Sequence, residues 1–180
     1  DDHRRGWFPC PRREAPSRHS RSELTKGRGF GPFNRMSVIV WDGKTLAEDR
    51  RLSSASGVST TTKVFRRVDG SALVGWVGDA GAANELLAWL YAGADPEKFP
   101  PKQRENSEAK LVVITGPTGI RLYEGTPHPV LIEDDKFAEG SGAQYALAAM
   151  ECGKTAIEAV EIASKLDPSC GNGITFETLG

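Results

Sequence analysis

Residues 37–49 read SVIVWDGKTLAED, and they are the clearest indication of how the chain folds. Val38, Ile39 and Val40 are β-branched, which favours an extended strand. Asp42-Gly43 is a strong hairpin signal between two strand-like runs, so residues 45–49 are predicted to return as a second strand. The folded part of the chain therefore opens with an antiparallel hairpin that starts at Ser37.

The same strand–turn–strand plan recurs farther along the chain, and stretches of helical apolar spacing interrupt it. Strands are predicted over 37–41, 45–49, 63–68, 71–77, 110–115, 120–124, 129–132 and 173–177, and helices over 80–92, 142–152 and 155–166. Hairpins dominate and no βαβ alternation is present, so the sheets should be largely antiparallel. Two sheets packed face to face, with helices outside each, would bury every apolar face.

Residues 1–35 differ from the rest in composition. This arm has eight Arg and one Lys against four acidic residues, and it is rich in Pro, Ser and Gly without apolar periodicity. It buries too little apolar surface to offset the entropy of ordering it, so we predict a disordered basic extension over 1–35 and one folded domain over 36–180. The arm could be a removable propeptide, a nucleic-acid-binding tail, or sequence joined to a true start at Met36.

Composition argues against several classes of protein. The formal net charge of -1 gives no reason to expect nucleic acid or an acidic membrane as a partner. Three cysteines, Cys10, Cys152 and Cys170, are an odd number without repeated spacing, which favours a reducing, cytoplasmic compartment over a disulfide framework or a zinc site. No apolar run approaches the ~18 residues needed to cross a bilayer. We expect a cytoplasmic protein with no metal or other cofactor.

Common catalytic motifs are absent from the folded part. Residues 37–180 contain no G-x-S-x-G elbow, Walker loop, H-E-x-x-H motif or Cys-x-x-Cys pair. The single histidine after residue 36 is His128, which lies between two prolines, where a solvated side chain is more usual than a catalytic one. A Ser-His-Asp triad would depend on that residue.

A serine at a free N-terminus needs no histidine. Its own α-amine has an ordinary pKa of about 7.7–8.0, so it can accept the hydroxyl proton near neutral pH. Ser37 directly follows Met36, and an initiating methionine is routinely removed when the next residue is small. Removal would leave Ser37 as the first residue of a strand, with the base and the nucleophile on one residue.

Five segments taken together are more specific than any one of them. They are Ser37–Val40, Asp49, Lys63-Val64, Val74–Gly78 and Glu139–Ala146. In this order and approximate spacing they resemble proteasome β-type subunits, most closely the bacterial peptidase HslV and its short phage and bacterial relatives. The resemblance covers nearly everything from Ser37 onward. It implies an α+β fold, the four-layer αββα sandwich of two antiparallel sheets found in N-terminal-nucleophile (Ntn) hydrolases.

The resemblance also implies roles for five residues. Ser37 stands at the nucleophile, and Lys63 at a catalytic lysine whose charge would keep the neighbouring α-amine neutral. Asp49 would orient the lysine and the amine. Gly75 would supply the backbone N–H of an oxyanion hole, and Ser141 would hydrogen-bond the terminal amine.

Each of these residues also has a plainer interpretation. Asp49 could belong to a surface charge cluster, and Lys63 could be a gatekeeper at a strand edge. Gly75 could be a close-packing strand glycine, and Ser141 could be the N-cap of the helix that follows.

The sequence departs from the family pattern in three ways. Serine replaces the usual threonine at residue 37, and the first hairpin is several residues shorter than in HslV. Met36 stands where self-processing precursors have glycine, which favours methionine removal over self-cleavage. If the arm stays attached, the free amine does not exist and the domain would be inert.

The leading hypothesis is a threonine/serine-type Ntn endopeptidase. The resemblance suggests that it acts on peptides or unfolded proteins as a homo-oligomeric ring, with an ATP-dependent unfoldase as partner. Two alternatives stay open: an inactive scaffold subunit of the same fold that keeps its arm, and an amidase acting on a small molecule.

Overall fold

The computed structural model describes residues 37–54, 56–101, 108–116 and 119–179. The predictions about residues 1–36 lie outside this part of the chain. In chain order the described elements are β1 Val38–Trp41, β2 Thr45–Asp49, β3 Arg51–Ser54, β4 Gly57–Thr60, β5 Val64–Arg66, β6 Leu73–Gly78, α1 Ala80–Tyr91, a 3-10 turn Pro96–Lys98, β7 Ala109–Ile114, β8 Ile120–Glu124, β9 Val130–Ile132, β10 Phe137–Gly140, α2 Ala143–Glu151, α3 Ala156–Leu166 and β11 Ile174–Thr178.

Two sheets form the centre of the domain. The first has the strand order β10-β1-β2-β11, and the second has the order β5-β6-β7-β8-β9. Every pair of neighbouring strands in both sheets is antiparallel. Strands β3 and β4 pair with each other as a separate two-stranded ribbon.

The alternation of side chains along the strands produces three apolar layers. In β1, Val38 and Val40 pack against α2 and α3, whereas Ile39 and Trp41 pack between the two sheets. In the second sheet, Trp76 of β6 packs against α1 on the opposite side. The layers are therefore helices, sheet, sheet and helix, which confirms the predicted α+β, four-layer αββα sandwich.

The three predicted helices are confirmed to within one residue at each end. Asp79 caps α1 by accepting the N–H of Ala82. Thr155 and Glu158 form a capping box at the start of α3, which satisfies backbone donors at both positions. None of the described helices is long and apolar enough to span a membrane.

Three strands were not predicted. Strands β3 and β4 extend the chain after the first hairpin, and β10 lies beside β1. Strand β10 matters most for the site, because its pairing places Gly140 opposite Val38. The start of β1 is thereby enclosed between β2 and β10.

Candidate active site

Three strand ends bring polar side chains into the interior of the domain. Ser37 immediately precedes β1, Asp49 is the last residue of β2, and Lys63 immediately precedes β5. Each is at most 2% exposed. A buried polar group is costly unless it is hydrogen-bonded, so the contacts among these residues are a requirement of the fold.

The Lys63 ammonium group connects the cluster. Its Nζ donates to Ser37 Oγ at 2.7 Å, to Asp49 Oδ1 at 2.9 Å and to the carbonyl oxygen of Arg51 at 3.1 Å. An ammonium has three donors and no acceptor, so these three bonds use its full capacity. The positive charge therefore lies against the Ser37 hydroxyl, where it can stabilise negative charge that develops on that oxygen.

The Asp49 carboxylate is held on both oxygens. Oδ1 accepts the N–H of Val38 at 2.8 Å in addition to Lys63, and Oδ2 accepts the N–H groups of Arg51 at 3.1 Å and Gly171 at 3.0 Å. These donors occupy both oxygens of a side chain that is fully buried, where an oxygen without a partner would be costly. Asp49 therefore joins the starts of β1 and β3 and the loop before β11 to the buried ammonium. The surface-charge interpretation of Asp49 and the strand-edge interpretation of Lys63 are both wrong, because both side chains are buried.

Ser141 lies on the other side of the Ser37 backbone. Its Oγ is 3.4 Å from the Ser37 nitrogen and 3.4 Å from the Ser37 carbonyl oxygen. The structure therefore brings Ser141 to the nitrogen that would become the α-amine. The N-cap of α2 is Gly142 and has no side-chain capping bond, so the interpretation of Ser141 as the helix cap is wrong.

Gly140 allows this close approach. Its φ is +105°, a backbone conformation that residues with a side chain rarely adopt. A Cβ at this position would also overlap the carbonyl group of Ser37. The glycine is therefore needed for β10 to turn over the start of β1 and present Ser141.

Asp167 and Cys170 also belong to the site, and sequence reasoning missed them. The pKa of Asp167 is below its usual value even though partial burial acts to raise it, because Ser141 and the N–H of Ser169 hydrogen-bond to the carboxylate. Cys170 Sγ lies 3.5 Å from Asp167 Oδ2 and 3.9 Å from Ser141 Oγ. Burial, and then the negative charges of Asp49 and Asp167, raise the pKa of the Cys170 thiol to about 12. Cys170 is thus an uncharged packing and hydrogen-bonding group at neutral pH.

No pattern in the sequence separates these two residues from an ordinary helix end. Asp167 directly follows α3, and Cys170 lies in the short loop before β11. Their proximity to Ser141 depends on how α3 packs against the first sheet.

Gly75 is placed differently from the other four predicted site residues. It lies in β6 opposite Val64 and Val112, and a Cβ there would overlap the side chain of Ile39. The N–H of the next residue, Trp76, donates to the Lys63 carbonyl oxygen at 3.2 Å. Successive N–H groups of a strand point to opposite edges, so the N–H of Gly75 points toward β7. The close-packing interpretation agrees with this geometry, and the oxyanion role of Gly75 stays a prediction.

Within the described ranges, no three His, Cys, Asp or Glu side chains come together as a metal site would require. The chemistry that the cluster offers is that of a hydroxyl group, an ammonium group and a carboxylate in contact.

Comparisons with known proteins identify a relative by sequence. The chain is 30% identical over 179 residues to proteasome subunit beta 1 of Thermococcus onnurineus (strain NA1), a match that covers 80% of this chain and 86% of the relative. No family model matches the chain.

Two solved structures share the fold. HslV from Trypanosoma brucei matches with a TM-score of 0.57 and 21% identity, over 79% of this chain and 97% of that one. BPH from Thiobacillus denitrificans, in complex with epoxomicin, matches with a TM-score of 0.59 and 18% identity, over 80% of this chain and 99% of that one.

Proposed function

The chain belongs to the proteasome β-subunit family of Ntn peptidases, and we propose that it cleaves peptide bonds with the hydroxyl group of Ser37 as nucleophile. The proposal requires that Ser37 be the first residue of the active chain. The observation that carries it is the buried Lys63 ammonium, which lies 2.7 Å from Ser37 Oγ and 2.9 Å from Asp49 Oδ1.

The first half of the reaction forms an ester. Ser37 Oγ attacks the carbonyl carbon of the scissile bond while the α-amine of the same residue takes the hydroxyl proton. The Lys63 ammonium stabilises the charge on Oγ during attack, and its field disfavours a second positive charge on the amine, which keeps the base neutral. The protonated amine then gives its proton to the leaving nitrogen. The C–N bond breaks, and the acyl group stays on Ser37.

The second half regenerates the enzyme. The α-amine takes a proton from water, the resulting hydroxide attacks the ester carbonyl, and the C–O bond to Ser37 breaks as the proton returns to Oγ. Ser141 supports both halves, since its hydroxyl lies at the Ser37 nitrogen and can hold the amine in place. Asp49 acts through Lys63 and the Val38 N–H, which together fix the direction of the first strand.

The inactive-scaffold alternative differs from this proposal in one covalent bond. If a residue remains attached before Ser37, the nitrogen is an amide that donates a hydrogen bond and cannot accept a proton. The same folded domain would then lack its base. Mass spectrometry of the N-terminus therefore shows whether a preparation contains the chain beginning at Ser37 or the chain that keeps a preceding residue.

A peptide epoxyketone tests the proposal directly. It carries a carbonyl carbon and an epoxide carbon, so a residue with both a free amine and a hydroxyl can react with both. We expect the protein beginning at Ser37 to gain one inhibitor mass on its N-terminal peptide and to lose peptidase activity in proportion.

Two controls make the result specific. Ser37→Ala keeps the amine and removes the hydroxyl, and acetylated Ser37 keeps the hydroxyl and removes the base. Neither protein should be labelled or hydrolyse a chromogenic peptide, whereas Ser37→Thr should retain activity. Labelling of the acetylated protein at the same rate, or at another residue, would contradict the proposal.

The resemblance also leads us to propose a cytoplasmic homo-oligomeric ring that acts on peptides or unfolded proteins, with an ATP-dependent unfoldase as partner. Sedimentation of the protein beginning at Ser37 tests the ring. A closed oligomer is expected, and a monomer at micromolar concentration would contradict it.

A further inference from the structure

A second carboxyl group lies beside the site without a role in the mechanism above. Glu48 precedes Asp49 in β2, and its side chain is 0% exposed. Its Oε1 accepts the N–H of Lys63, and its Oε2 is buried with no hydrogen-bond partner in the described parts of the chain. Glu48 therefore contacts the backbone of the residue whose ammonium contacts the nucleophile.

Two carboxyl groups here share one buried cation. The polar or charged side chains that the described residues bury are Ser37, Glu48, Asp49 and Lys63, and Lys63 alone among them is basic. Asp49 receives the ammonium and three backbone N–H groups, so a negative charge on its two oxygens is compensated by four donors. Glu48 has one oxygen without a partner. A buried charge that lacks compensation is far more costly than a neutral acid, so the proton belongs on Glu48.

The surroundings of Glu48 support this assignment. Across the first sheet it lies opposite Ile39 of β1 and Thr175 of β11, both uncharged. The second sheet presents apolar side chains to this layer. Burial raises the pKa of Glu48 from 4.5 to about 8, opposed by the Lys63 N–H and ammonium and by the Val64 N–H, and assisted by the negative charge of Asp49.

We propose that Glu48 is a positioning residue for the peptidase reaction: as a neutral carboxylic acid it anchors the backbone of Lys63 and leaves Asp49 as the sole carboxylate opposite the ammonium. The inference rests on the proposed function of Ser37. When Glu48 ionises, a second negative charge lies next to Lys63. That charge weakens the field of the ammonium at Ser37 Oγ, so turnover should fall as pH rises through the ionisation of Glu48.

Glu48→Gln tests the proposal, because glutamine keeps an oxygen acceptor for the Lys63 N–H and never ionises. The measurement is kcat for a chromogenic peptide from pH 6 to pH 10, with both proteins beginning at Ser37. We expect wild type to lose activity with a midpoint near pH 8. Glu48→Gln should match wild type at pH 7 to within about threefold and keep its activity through that midpoint. The proposal would be overturned if kcat of Glu48→Gln fell with the same midpoint near pH 8 as kcat of wild type. It would also be overturned if kcat of Glu48→Gln at pH 7 were more than a hundredfold below wild type.

Glu48→Ala tests the anchoring part, since it removes the acceptor. Its kcat should fall at least tenfold at every pH while KM changes less than twofold, and glutamine should rescue the loss. Wild-type kcat in Glu48→Ala would overturn the anchoring role. If this variant does not fold, the glutamine comparison still decides.

Carbon-13 NMR of the Glu48 carboxyl group, assigned by its absence in Glu48→Gln, separates this proposal from the proposed function. If the Glu48 carboxyl group titrates near pH 8 but the protein has no peptidase activity, Glu48 is a neutral acid at pH 7 and the proposed function of Ser37 is refuted. Titration near pH 4 would overturn the inference about Glu48 whatever the activity.

Discussion

The buried ion pair offers a test of the geometry that does not depend on turnover. Lys63→Met replaces the ammonium by an unbranched apolar side chain that can follow the same path. It leaves the Asp49 carboxylate buried without its cation. Removing one partner of a buried ion pair typically costs about 3–5 kcal/mol. Asp49 keeps three backbone N–H donors, so we expect the lower end, about 3 kcal/mol, which is a roughly 150-fold smaller folding equilibrium constant.

Urea unfolding at pH 7 measures this loss, and the chain provides a matched control. Lys154 and Glu158 form an exposed pair whose N–O distance, 2.9 Å, equals that of Lys63 and Asp49. Solvent screens exposed pairs, so Lys154→Met should leave the unfolding midpoint almost unchanged. If the two substitutions change the unfolding midpoint equally, or if Lys63→Met is as stable as wild type, the buried ion pair does not stabilise the fold as described. Lys63→Met should also abolish peptidase activity in the fraction that remains folded.

Three other predictions concern stability and turnover. Because the pKa of Glu48 is raised from 4.5 to about 8, the native state keeps a proton that the unfolded chain releases, so its stability should fall as pH rises between these values. Denaturant unfolding at pH 4 and pH 9 measures this effect: between these pH values the free energy of unfolding should fall on the order of 5 kcal/mol more for wild type than for Glu48→Gln. The same pH dependence in both proteins would contradict the raised pKa. Gly140→Ala should destabilise the fold by about 2 kcal/mol or more and remove activity, because its Cβ would overlap the Ser37 carbonyl, whereas Gly116→Ala, in open space, should behave as wild type. Asp167→Asn should lower kcat about tenfold without changing the melting temperature, since the carboxylate no longer orients the hydroxyl at the amine, and wild-type kcat would contradict that role.

The parts of the fold that the sequence predicted are those with a local signal. The first hairpin has a β-branched run and an Asp-Gly turn, and the three helices have apolar spacing with caps at Asp79 and Thr155. Strands β3 and β4 lack apolar alternation, because they are rich in serine and threonine and mostly exposed. Strand β10 is four residues long and gains its conformation from pairing with β1, which a local pattern cannot reveal.

Some residues of the candidate site were predicted from the sequence, and others became apparent only in the folded structure. Ser37 was predicted from its position directly after Met36, and Asp49 and Lys63 were predicted from the family resemblance. The structure brings the three side chains into contact. Glu48 was missed because an acidic residue in a short strand suggests a solvent-facing position, whereas the second sheet covers that face. Asp167 was missed for a related reason, since its contact with Ser141 exists only after α3 packs against the sheet.

In the proposed reaction, the α-amine of Ser37 is the base for the hydroxyl group of the same residue. The peptidase activities of two proteins decide this point: the 180-residue chain and the chain beginning at Ser37, each verified by mass spectrometry and assayed on one chromogenic peptide at pH 7.5. We expect hydrolysis by the chain that begins at Ser37 and none by the 180-residue chain, in which the Ser37 nitrogen is an amide. Hydrolysis at the same rate by both would contradict the proposed reaction.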